Sequence, residues 1–469
     1  VADHPSTRSV ARAQAALAAR PPEGLFAGLD WRTATTPFSL SPAIAKDIES
    51  MGRVLWTFYR AVNLLYRRSV DGRSPSWIAR WLDLGKPESL IHWQREQAFR
   101  QEIPRVIRPD LLLTEKGLTI TELDSVPGGI GLTTWLYQAY ESPLAQGDSP
   151  GSAPSPTWLG SSKSMVDGFS GIFGNAPRAH LMISEESATY RPEMEWLART
   201  LSQPITQVRG PDFTGWQAGD AVYRFFELFD LNAVPAAEAL LTAARDGQIR
   251  LTPPPKPFFE EKLLFALLWN RHLRDFWRQE LGERFFQKLL QWVPYTWIVD
   301  PTPLPPHAAI PELSLTDWSQ LKTLSQKERQ LILKISGFSP EAWGARGVFL
   351  GSDLSSADWG AAVDRALAAW PRHPYVLQRF QPTAVVPGEW YDPATSSPVP
   401  MPSRVRLCPY YFVHGEGDQS RPHLGGVLAT LCPADKKILH GMSDAILAPC
   451  SISPNSPAQT APPTSPGHP

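Results

Sequence analysis

The 469-residue chain predicts an α/β protein, more strictly α+β. Three observations carry this: helix-periodic stretches crowd residues 41–106, a charged β-hairpin follows them, and strands alternate with helices from about residue 165 onward. With 45 basic and 46 acidic residues the formal charge is −1, which leaves no electrostatic footprint for nucleic acid or an anionic membrane surface. Hydrophobic residues make up 42% of the chain, yet no apolar run is long enough to span a bilayer. Cys408, Cys432 and Cys450 lack the paired spacing of a zinc site or a disulfide framework, so a reducing, cytoplasmic setting is expected.

Residues 1–40 read as a surface segment with one short Ala-rich helix. From the Ser41-Pro42 cap, apolar residues at Ile44, Ile48, Met51, Leu55, Phe58, Val62 and Leu65 form one helical face. Further helices are expected over 74–84 and 87–102, which makes residues 41–106 a helical platform. Residues 107–141 hold the hairpin and a Gly-rich loop, and 142–164 read as a Ser/Pro/Gly linker. Over 165–250, strands at 179–183, 205–208 and 221–229 alternate with helices at 191–201 and 236–246, as a small inserted α/β subdomain would. Residues 251–450 carry a strong helix starting near Lys262, a strand at 330–335 bearing Lys334, a Gly-containing loop at 344–347, a helix at 356–369 and a strand at 375–380. From Ser451 the Pro/Ser/Thr-rich tail, 451–469, is expected to be disordered.

The chemistry gathers in residues 108–131, RPDLLLTEKGLTITELDSVPGGIG. If Thr114 faces Leu118 across the turn, Asp110 lies opposite Glu122 and Arg108 opposite Asp124, with Glu122 and Asp124 on one face. Three carboxylates so close repel one another unless a cation sits among them, and hard oxygens suit Mg²⁺ or Mn²⁺. A hairpin whose polar end is simply solvated accounts for the same pattern. Pro127 to Gly131 precede a helix, where backbone amides can approach an anion or merely turn a corner.

Lys334 sits in an apolar strand, where an ammonium needs an anion. Gly344, Arg346 and Gly347 offer amides and a guanidinium to phosphates, and Gln378 has the donor and acceptor that adenine recognition needs. Arg404 and Arg406 share a face of a short strand, which equally describes a surface edge strand. His414, His423 and His440 have no ligand spacing and read as structural or exposed.

In order, Arg-x-Asp, Glu-x-Asp on the next strand, an α/β insert, a helix-borne lysine, a strand-borne lysine with a Gly loop, and a Gln-containing strand resemble the synthetase domain of glutathionylspermidine synthase over roughly residues 107–428. The resemblance implies an ATP-grasp-like fold, circularly permuted so that the metal ligands precede the nucleotide lysines. It implies Asp110, Glu122 and Asp124 as metal ligands and Arg108 facing the transferred phosphoryl group. Lys262 and Lys334 become the phosphate lysines, 344–347 with Arg346 the lid, Gln378 part of the adenine-side hinge, and Arg404 or Arg406 a late phosphate arginine.

The implied activity is an ATP-dependent, ADP-forming ligase that joins a small-molecule or peptide carboxylate to an amine, with ATP and one or two Mg²⁺ ions. Neither a nucleic acid nor a membrane is an expected partner. The chain departs from the family in having Asp124 where Asn is usual, no Cys before Cys408 for a thiol amidase, and no match to the C-terminal substrate-contacting stretch. A non-catalytic nucleotide-binding or protein-interaction module on the same fold is the alternative.

Overall fold

The computed structural model describes residues 7–21, 31–142, 156–342, 346–439, 441 and 443–453, and these build a mixed α/β molecule with three sheets. The first elements are not a loose surface segment. Helix α1 (Thr7–Ala18) buries Ala13 and Ala16, while strands β1 (Arg32–Thr33) and β2 (Phe38–Leu40) pair in parallel with the last strand, β17 (Ile446–Ile452). Trp31 and Leu40 are apolar enough to join the core, which holds this stretch down.

Helix α2 (Pro42–Val70) starts where the Ser41 hydroxyl accepts from the Ile44 amide and Pro42 presets φ, and it buries the face from Ile48 to Leu65. Helices α3 (Ser76–Asp83) and α4 (Glu88–Arg95) complete the platform. The third helix ends short of 102 because the chain tightens into a 3₁₀ turn at Gln97–Phe99. Strands β3 (Val106–Thr114) and β4 (Gly117–Asp124) form the hairpin, followed by α5 (Ile130–Glu141). Residues 143–155 of the expected linker lie outside the described residues. The rest of that stretch forms β5 (Thr157–Trp158), which pairs with β17, and α6 (Ser162–Gly171), capped by Ser161.

A parallel sheet comes next, built from β6 (Arg178–Ile183), α7 (Arg191–Thr200), β7 (Ile205–Arg209), β8 (Ala221–Phe225), α8 (Ala237–Arg245) and β9 (Arg250–Thr252), in the order β7-β6-β8-β9. Strand β8 stops at Phe225, short of 229, where residues 228–233 turn into a 3₁₀ helix. Helix α9 (Leu263–Trp269) and α10 (Arg274–Trp292) follow, the latter kinked at Gly282 with φ 71°. An antiparallel sheet then has the order β10-β13-β11-β12, from β10 (Thr296–Ile298), β11 (Leu331–Ile335), β12 (Val348–Leu350) and β13 (Tyr375–Arg379), with α11 (Ser356–Ala369) packed on it.

The chain finally returns to the hairpin through β14 (Val385–Asp392), β15 (Ser397–His414) and β16 (Arg421–Pro433), giving the path β1-β17-β16-β15-β3-β4. Strand β15 pairs with β3, β14 and β16, so Arg404 and Arg406 lie on a central strand and the edge-strand reading is corrected. The buried run from Tyr410 to Val413 is the physical reason. Ser451 and Ile452 belong to β17, which corrects the expected start of the tail; residues 454–469 lie outside the described residues.

Candidate functional site

A β-bulge sets the charged end of the hairpin. Near the turn Leu113 pairs with Leu118 and Thr114 with Gly117, one residue out of the expected register; past the bulge Asp110 lies opposite Glu122 and Arg108 opposite Asp124, as read from the sequence. Thr121 is the extra residue. Its carbonyl accepts from Lys334 Nζ at 3.3 Å, and its hydroxyl donates to the Asp110 carbonyl at 3.2 Å.

A cavity of about 360 Å³ opens between the hairpin, the antiparallel sheet and the inserted sheet. Arg108, Asp110, Glu122 and Asp124 line one wall. Lys262, at the N-terminus of α9, lines another together with Lys334 and Gln378 from adjacent strands, and Arg406 reaches in from β15. Apolar lining comes from Leu112, Ile332, Val348 and Phe380.

Protein cations stand where the sequence reading placed a metal. Arg108 bridges Asp110 at 3.0 Å and Asp124 at 2.9 Å, Arg406 reaches Asp110 at 3.4 Å, and Lys262 pairs with Glu122 at 2.6 Å. Every one of the three acids is engaged by a cation, Arg108 being shared by two of them, and among the described residues no group of three or more His, Cys, Asp or Glu is placed to hold a metal ion.

Burial works against the Arg108 charge, yet Asp110 and Asp124 raise its pKa well above the usual guanidinium value. Burial also pushes Asp124 up to about 6, although Arg108 and the Val126 amide, donating at 2.8 Å, oppose it. For Lys262 burial favours the neutral amine, but Glu122 holds its pKa above the ordinary lysine value. Lys334 differs. Its hydrogen bonds run to two neutral oxygens, Thr121 O at 3.3 Å and Gln378 Oε1 at 3.1 Å, and burial lowers its pKa to about 8 while Glu122 offsets only part. The Nε atoms of Arg108 and Arg406 are buried without a hydrogen-bond partner among the described residues.

Several expected ligand groups are turned to other uses. Gln378 is 2% exposed; its carbonyl accepts from Lys334 and its amide donates to Thr296 Oγ1 at 3.0 Å, so in this structure it orients a lysine at the cavity wall. The Gly347 amide donates to Glu341 O at 3.0 Å, and Gly347 does not line the cavity in this structure. Arg346 is exposed and does not line the cavity, and Gly344 lies outside the described residues. Arg404 turns away to Thr383 and to Ala434 O at 2.7 Å, leaving Arg406 as the arginine that faces the cavity. The N-terminus of α5, read from the sequence as either an anion approach or a simple corner, is filled by the Glu193 carboxylate, which accepts from the Gly131 amide at 2.9 Å.

The sequence reading missed cavity-lining Cys408, Tyr410, Tyr190, Glu193, Glu227 and Glu260. Extending the two-residue alternation from Arg406 would have found Cys408 and Tyr410. Burial pushes the Cys408 thiol up to about 12, beside Asp110. Glu260 accepts from Arg224 at 2.7 Å and from the Leu228 amide at 2.9 Å. Burial and Glu260 hold the Glu227 pKa well above the usual carboxyl value. No local pattern announced either glutamate.

No protein-family model and no curated protein sequence matches the chain. A solved structure does: a glutathione synthetase-like effector from Globodera pallida, in its apo form, aligns over 95% of this chain and 96% of its own at TM-score 0.52 and 12% identity. The likeness is one of fold. A protein described as a putative gamma-glutamylcysteine synthetase from Methylobacillus flagellatus aligns over 87% of this chain and 91% of its own, at TM-score 0.40 and 13% identity, which is too slight to argue from.

Proposed function

We propose that the chain is an ATP-dependent carboxylate–amine ligase, glutathionylspermidine-synthase-like in its arrangement of residues, that makes an amide through an acyl phosphate. Lys334 carries the reading: a residue 7% exposed, on an apolar strand, hydrogen-bonded to neutral oxygens and lining a cavity with Lys262, Arg108 and Arg406. An anionic ligand answers the Lys334 charge and competes with the hairpin acids for the other three cations. The description of the fold neighbour as glutathione synthetase-like supports the same reading.

In this reading the triphosphate lies along Lys262 and Lys334, and the apolar lining of Leu112, Ile332, Val348 and Phe380 receives the adenine. The carboxylates of Asp110, Glu122 and Asp124 are hard donors on one hairpin, but each is engaged by a protein cation. They fit a divalent ion once phosphate draws off Lys262 and Arg108, so metal and nucleotide bind together. Mg²⁺ held there would screen the phosphate charge. Arg108 stabilises negative charge on the group passing to the substrate carboxylate, and later on the carbonyl oxygen attacked by the amine.

Thermal unfolding with ATP, with Mg²⁺ and with both, on the wild type and Glu122→Ala, tests the site. Ligand at a hundredfold over its dissociation constant stabilises by about 2.7 kcal/mol. The expected result is a shift that needs both components and disappears in the variant. No shift under any condition overturns the reading, and a shift without ADP release in the presence of acids and amines favours the non-catalytic module.

A further inference from the structure

Helix α7 of the inserted unit begins with two side chains that reach the Gly-rich turn after the hairpin. Glu193, 7% exposed, accepts the Gly131 amide at 2.9 Å through Oε1, and the neighbouring amides of Gly129 and Leu132 also favour its ionised form. Tyr190 packs beside it. Only glycines permit this approach: a Cβ on Gly131 would stand 2.8 Å from Glu193 Cγ, and one on Gly128 would stand 2.2 Å from the Tyr190 ring. The same turn holds the arginine of the site, because the Gly128 carbonyl accepts from Arg108 Nη1 at 3.2 Å and from the Tyr410 hydroxyl at 2.8 Å.

We propose that Glu193 is a positioning residue for Arg108, clamping the 128–131 turn so that the Gly128 carbonyl fixes the guanidinium in the cavity. The inserted unit thereby controls the geometry of the hairpin's arginine through one carboxylate. In its kinetic consequence the proposal rests on the ligase reading; in its structural consequence it does not. The clamp needs the ionised form, since several amides converge on one carboxylate at a helix N-terminus. The groups facing Glu193 are Arg108 from β3, Tyr410 from β15 and Tyr190 beside it. Burial raises Glu193 to about 7 in spite of its amide bonds, so the clamp loosens as pH falls through that value.

The test combines hydrogen exchange over residues 126–134 with a double-mutant cycle of Glu193→Ala and Arg108→Ala, read by the thermal unfolding midpoint. Faster exchange at Gly129, Gly131 and Leu132 in Glu193→Ala is expected, partly restored in Glu193→Gln, with midpoint losses in the double variant that fall short of the sum of the single losses. Unchanged exchange, or strictly additive losses, overturns the proposal. In ADP-release assays, Glu193→Ala lowers kcat with little change in KM for ATP, and an acid limb near pH 7 in the wild type vanishes in Glu193→Gln; an unchanged kcat also overturns it. If the wild type releases no ADP, the ligase reading fails while exchange and the cycle still decide the positioning role. Should Glu193→Ala not fold, Glu193→Gln enters the same cycle.

Discussion

The Thr121 carbonyl accepts from the Lys334 ammonium at 3.3 Å, and it does so because the bulge removes Thr121 from the ladder of its own hairpin. One irregular residue thus connects the acidic hairpin to the lysine strand of another sheet. It leaves Lys334 a buried charge with only neutral partners.

That burial has a pH signature. A lysine whose pKa is lowered to about 8 in the folded protein contributes most to stability above the ordinary lysine value of 10.5, and the contribution is lost as pH falls through 8. Lys334→Met is therefore expected to be more stable than the wild type at pH 7, by up to about 3 kcal/mol before the unpaired Thr121 and Gln378 oxygens reduce the gain. The same variant is expected to lose the stabilisation by ATP with Mg²⁺. Urea denaturation at pH 7 and pH 10 checks both; a variant less stable at pH 7 contradicts the argument.

Arg108 is the counter-ion of one buried acid, Asp110, and one half-buried acid, Asp124. Arg108→Ala leaves Asp124 without its cation and Asp110 with Arg406 alone, and breaking such a pair costs up to about 3–5 kcal/mol. Turnover, where ligation is assayed, is expected to fall about 10²- to 10³-fold. Equilibrium denaturation and initial rates measure the two effects separately, and Arg108→Lys, which cannot bridge both acids in a planar fork, is expected to recover little.

Lys86 and Glu261 form an ion pair at 2.5 Å with both side chains 1% exposed, joining the helical platform to the segment before Lys262. Ser336 donates its hydroxyl to Glu261 and accepts the Leu263 amide at 2.9 Å. Lys86→Met alone is expected to lose about 3–5 kcal/mol, whereas Lys86→Met with Glu261→Gln loses less than either change alone predicts. Additive losses in chemical denaturation count against a coupled pair.

Gly128 has no room for a methyl group because of Tyr190. Gly128→Ala is expected to lose about 1–3 kcal/mol through overpacking. In a Tyr190→Ala background the same change should cost nothing further, which thermal melts of the three variants can show.

Local periodicity made much of this protein legible. The two-residue alternation of a strand put Glu122 and Asp124 on one face, and the three-and-four spacing from Ile44 to Leu65 announced the buried side of a long helix, because both follow from backbone geometry within a few residues. The pairing of Asp110 with Glu122 is read from a register, Thr114 opposite Leu118, that does not hold at the turn; the bulge at Thr121 restores it at the charged end, and no local pattern announced that bulge.

What the tertiary structure alone decided is which charge meets which. Glu193 fills a helix N-terminus 62 residues earlier in the chain, Lys262 neutralises Glu122, Gln378 turns inward to hold Lys334, and Arg406 rather than Arg404 faces the cavity. A side chain's partner depends on burial and on contacts between distant segments, whose strength grows as water is excluded. Those quantities exist only once the sheets have packed, so the sequence determined the inventory of charged groups and their local faces, while the packing assigned their partners.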